Sequence, residues 1–182
     1  MRIPAVSDVS AAATAVVLGV AGLLAGAAPA QAAPPEVDLT AYPAVDPAPY
    51  QVFGAHPSTS GWIFETPGGV RCQDSLIPDL GIVCSGPLAG TDATMVSVSL
   101  THEAMFTESD MPESGPESAP PVLPVGSRFD AGNGVVCAVP TADTLACHAA
   151  KPASWPADTV DPPDRHYGEH GFVTSPDGSR GY

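Results

Sequence analysis

Basic residues are scarce in this chain: six Lys and Arg stand against twenty Asp and Glu among 182 residues, a formal net charge of −14. A surface of that sign repels phosphate backbones and anionic headgroups, which argues against nucleic acid as a partner. Beyond Ala28 the sequence has no apolar run long enough to span a bilayer. Twenty-two prolines leave no amphipathic helix of useful length. Familiar catalytic signatures are missing too. There is no Gly-x-Ser-x-Gly elbow, and Asp74-Ser75, Asp143-Thr144 and Asp158-Thr159 lack the Gly that an aspartic-protease turn needs. The Gly-rich turns lack the Lys and helix of a phosphate loop. Cys-x-x-Cys spacing, expected of a structural zinc site, does not occur.

What the chain does have is a device used twice. Phe64-Glu-Thr-Pro-Gly-Gly-Val-Arg-Cys72 returns without a gap as Phe129-Asp-Ala-Gly-Asn-Gly-Val-Val-Cys137, and each copy is closed by a second cysteine, Cys84 or Cys147. Pro67-Gly68-Gly69 and Gly132-Asn133-Gly134 supply residues that tolerate positive φ at a hairpin tip. Trp62-Ile-Phe64 before the first tip and Val135-Val136 after the second are aromatic and β-branched, as strands prefer. Each copy therefore reads as a β-meander, with third strands at Ile82–Cys84 and Thr144–Cys147. Phe172 to Gly181 carries the Phe and a Pro-x-Gly turn, with Gly181 where Cys would stand, and reads as a degenerate third hairpin.

The N-terminus has Arg2, an Ala-rich apolar run to about Ala28, and Pro29-Ala30-Gln31-Ala32. This is the pattern of a secretory signal peptide over residues 1–32, cleaved after Ala32. Its glycines and Pro29 make it a poor membrane anchor, so no stable membrane insertion is expected after cleavage. Removing Arg2 and Asp8 with the leader leaves five basic residues against nineteen acidic ones. Four cysteines in an exported chain predict two disulfides, and three pairings are open. The local pairing, Cys72 with Cys84 and Cys137 with Cys147, fits a meander, because neighbouring antiparallel strands bring Cβ atoms within bonding range.

Residues 33–60 hold six prolines and no hydrophobic period, predicting an extended arm that is either a spacer or a processing remnant. The β-domain follows over 61–182, its first part 61–106. Thr94–Thr101 alternates cleanly, with Val96, Val98 and Leu100 on one face. An acidic, Pro-rich linker at 107–124 then separates the second part, 125–150, from a Pro-rich loop and terminal hairpin at 151–182. The expected fold is a mostly β, small antiparallel domain of two disulfide-stapled meanders with Pro-rich coil arms.

Two constellations bear on chemistry. His166-Tyr-Gly-Glu-His170 spells the His-x-x-Glu-His of inverted zinc peptidases, but Gly168, Gly171, Pro162 and Pro163 deny it the helix that would aim both imidazoles at one metal. The cluster His166, Glu169 and His170, with Asp164, is thus an alternative metal set, and no metal or other cofactor is expected. Trp62 and Trp155 are candidate ligand contacts, although a Trp placed like Trp155 more often folds back onto the core.

The Phe-x-Thr-Pro-x-Gly-x-x-Cys pattern at Phe64–Cys72, its echo at Phe129–Cys137 and the Ala/Pro-rich leader resemble a group of small secreted actinobacterial, mycobacterial-type proteins of unknown function. The resemblance covers about Trp62 to Cys147 and implies an exported, disulfide-bonded domain with no catalytic residues to carry over. The expected function is a secreted, extracellular or wall-associated, non-catalytic binding or structural module with a protein or cell-wall partner. The alternative is a secreted metal-dependent hydrolase using His166, Glu169 and His170. A weaker reading gives the acidic linker a basic partner.

Overall fold

Among the described residues eleven strands form two antiparallel sheets, and each sheet grows from one copy of the repeat. A computed structural model describes residues 37–108 and 119–182, so the leader 1–32, its cleavage point and most of the acidic linker lie outside the described residues. The first sheet runs in sequence order through β1 (Gln51–Val52), β2 (Gly61–Glu65), β3 (Arg71–Ser75), β4 (Ile82–Ser85), β5 (Met95–Ser99) and β6 (His102–Thr107). The second contains β7 (Ser127–Asp130), β8 (Val135–Thr141), β9 (Thr144–Ala149), β10 (His170–Ser175) and β11 (Gly178–Gly181).

Register makes the two halves equivalent. Phe64, Cys72, Cys84, Val96 and Phe106 stand opposite one another across β2 to β6. Phe129, Cys137, Cys147, Phe172 and Gly181 do the same across β7 to β11. Both disulfides, Cys72–Cys84 and Cys137–Cys147, join directly paired residues, and among the described residues no cysteine is free. They are compatible with an extracellular location, and among the described residues no helix is long and apolar enough to cross a membrane. The terminal hairpin repeats the local Phe register, but in its sheet it is the counterpart of β5–β6. It follows the second copy as β5–β6 follows the first.

The inner faces of the two sheets share one core. Phe64 and Phe129 are fully buried with ring centroids 5.4 Å apart, and Trp62 and Tyr50 also pack on Phe129. Burial of a side chain of this size contributes roughly 1.5–3 kcal/mol. The hairpin tips take the positive φ their glycines allow, at Gly69 in one and at Gly132 and Gly134 in the other.

The described stretches of the Pro-rich segments, 37–60 and 119–124, are not free arms. Residues 37–60 form three short 3-10 turns and β1, and anchor through buried Tyr50 and through the Arg128 guanidinium, which donates to the Tyr42 carbonyl at 3.0 Å. Each copy's leading segment docks on the other copy's first strand. Arg128 N donates to Pro43 O and Val45 N to Arg128 O, whereas Glu65 N donates to Pro121 O and Leu123 N to Glu65 O. The two arms are exchanged, and each covers an edge that would otherwise present unpaired backbone groups.

Candidate functional site

The two halves differ most in the connection after the second cysteine. Nine residues, 86–94, join β4 to β5, whereas twenty, 150–169, join β9 to β10. The short connection leaves a pocket of about 600 Å³, within the size range of small-molecule sites. Four chain-distant pieces build it: the β2–β3 tip (Thr66, Gly68, Val70), the loop from Gly86 to Thr94, the β8–β9 turn (Ala142 to Leu145), and Thr174 with Pro176.

Each piece is held by its own chemistry. Thr66 closes the tip, its hydroxyl accepting from Val70 N at 3.1 Å while Gly69 N donates to its carbonyl. Gly68 is required by the approach of the β8–β9 turn, since a Cβ there would lie 2.6 Å from Ala142 O. Ser179 Oγ fastens the 86–94 loop to β11, standing 2.7 Å from Ala89 O and 2.8 Å from Thr174 Oγ1. Buried Val70, Leu88 and Leu145 supply apolar wall, and Asp92 and Asp143 are exposed carboxylates in the lining. None of the lining residues is Lys or Arg.

The equivalent place in the other half is filled by the chain itself. There the long connection folds inward, with Gly168 N donating to Leu100 O at 2.7 Å. Tyr167 packs against the core, edge-on to Trp155 at 5.3 Å, and Lys151 Nζ lies 5.2 Å from the Tyr167 ring centre. Desolvation first, and then the Asp79 carboxylate beside it, push the Tyr167 hydroxyl pKa upward. Asp79 belongs to the β3–β4 connection, which corresponds to the β8–β9 turn that carries Asp143.

Asp74, 0 % exposed, stands in the row where the second copy has Val139. Asn133, from the opposite tip, donates from Nδ2 to both carboxylate oxygens at 2.9 Å and to Ser75 O at 2.9 Å. Burial raises the Asp74 pKa to about 8, against the lowering pull of the Asn133 amide, and the charge of Asp130 adds to the rise. A perturbed carboxyl often marks a functional centre. This one is sealed in the interior and is not part of the lining of the pocket beside the β2–β3 tip.

No family model, curated protein or solved structure matches this chain. The site therefore has to be read from its own geometry.

That geometry disperses the residues singled out in the sequence. His166 Nδ1 lies 3.0 Å from Asp161, Glu169 lies 3.9 Å from His148, and His170 opens β10 with its ring folded over Gly168. Among the described residues no three His, Cys, Asp or Glu side chains are grouped to share a metal. Trp62 is 8 % exposed and committed to the core, while Trp155 is half-buried in the plug beside Tyr167. The pocket residues Leu88, Asp92 and Asp143 carry no motif. The one trace they leave in sequence is the unequal spacing after Cys84 and Cys147.

Proposed function

We propose that this chain works outside the cytoplasm, secreted or held at the cell wall, as a non-catalytic binding module whose ligand enters the pocket beside the β2–β3 tip. The observation that carries the reading is the asymmetry between equivalent places: one is plugged by Trp155 and Tyr167, the other is open at about 600 Å³. Apolar walls with a few hydroxyls and carboxylates suit recognition of a mixed apolar and polar ligand. The Ala-rich leader and the two disulfides support work in an oxidising compartment.

A fragment panel screened by amide NMR on the oxidised chain tests the site. Binding fragments are expected to shift the amides of Val70, Leu88 and Leu145, and to lose that effect in Leu88→Trp, which fills the cavity. Fragments that bind only elsewhere would remove the pocket from the account.

A further inference from the structure

We infer that the open pocket takes a polypeptide segment presenting an aromatic side chain next to a basic one. This rests on the pocket being the binding site. The molecule carries its own precedent, because the equivalent place is occupied by peptide of that chemistry. Trp155 and Tyr167 fill it as an edge-to-face pair, and Lys151 caps the Tyr167 ring at a cation–π distance. Asp79 faces the Tyr167 hydroxyl there. In the open pocket the corresponding turn offers Asp143, with Asp92 on the facing loop and no base in the lining. An incoming aromatic side chain with an O–H or N–H tip meets Asp143 as Tyr167 meets Asp79. A neighbouring Lys or Arg then relieves two exposed carboxylates in a chain of net charge −14.

Shape agrees with this assignment. Two rings and a proline occupy the filled site, Gly134 admitting Pro152 so closely that a Cβ there would lie 3.1 Å from the Pro152 ring. At Gly69, which the repeat aligns with Gly134, an added Cβ would meet nothing within 4 Å, and Val70 and Leu88 give apolar surface on which a ring can lie.

The test uses the oxidised full chain, titrated with the hexapeptide Lys-Pro-Ala-Ser-Trp-Pro, which copies residues 151–156. A second peptide has Glu in place of Lys, and octanol serves as a neutral aliphatic probe; all are followed by amide NMR. The expected result is saturable shifts at Val70, Leu88 and Leu145, about tenfold weaker binding of the Glu peptide, and several-fold weaker binding of the Lys peptide to Asp143→Asn. Asp143 is exposed, so that variant leaves the core intact. Equal binding of the two peptides overturns the basic half of the assignment. A silent peptide with octanol saturating the same amides overturns the polypeptide and leaves the pocket as a site for other ligands. Silence of all three probes at those amides overturns the pocket itself.

Discussion

The side-chain amide of Asn133 closes on the carboxyl group of Asp74 across the interface between the two copies, with Nδ2 2.9 Å from both oxygens. With the folded Asp74 pKa near 8 and its ordinary value 3.8, the folded chain holds one proton more than the unfolded chain between those limits. Stability then falls as pH rises from about 4 to about 8, with a slope on the order of 1.4 kcal/mol per pH unit. Urea unfolding at pH 5, 6 and 7 measures this slope, and Asp74→Asn should flatten it. A slope unchanged in that variant would assign the pH dependence elsewhere.

Asn133→Ala leaves a buried carboxyl group without its partner and should cost about 2–3 kcal/mol. The other half of the molecule shows the alternative solution, with Val139 in the place of Asp74 and Gly68 in the place of Asn133. The double variant Asp74→Val/Asn133→Gly should accordingly lose less than the sum of its single changes, with a coupling of about 1–3 kcal/mol. Additive losses would mean that the two side chains act independently.

Each disulfide closes a short loop, spanning 12 and 10 residues. On the loop-entropy account each contributes about 3 kcal/mol. Cys72→Ala/Cys84→Ala and Cys137→Ala/Cys147→Ala should each lower the urea midpoint by a similar amount. Because both pairs lie in the shared core, removing either should loosen the whole domain in one transition. Two separate transitions would contradict a single core.

Tyr167→Ala should convert the plugged place into a second pocket, at a cost of roughly 2 kcal/mol for a half-buried aromatic. Trp62→Ala, deep in the core, should cost about 3–5 kcal/mol and give no new site. Isothermal titration with indole distinguishes them: two binding events in the Tyr167 variant, one in the parent chain.

Local pattern carried much of the architecture. Paired Gly-rich tips, a shared Phe-to-Cys distance and clean alternation at Val96 and Val98 placed β2 to β5, β7 to β9 and both disulfides. β6 was harder to see, because His102 and Glu103 are exposed at its start and its apolar Ala104 and Phe106 are few. The exchanged arms depend on backbone pairing by Pro43, Val45, Pro121 and Leu123, which composition does not signal. The pocket was invisible for a related reason. It is a space between four loops, and periodicity describes elements. Only the difference between nine and twenty residues after the second cysteines points to it.

The most direct test of the open pocket is an indole titration of the oxidised parent chain followed residue by residue through its amide resonances. Saturable shifts are expected at Val70, Leu88 and Leu145, with the plugged side around Asn133 and Tyr167 unmoved. Shifts confined to the 150–169 connection, or no saturable response, would contradict the pocket as a binding site.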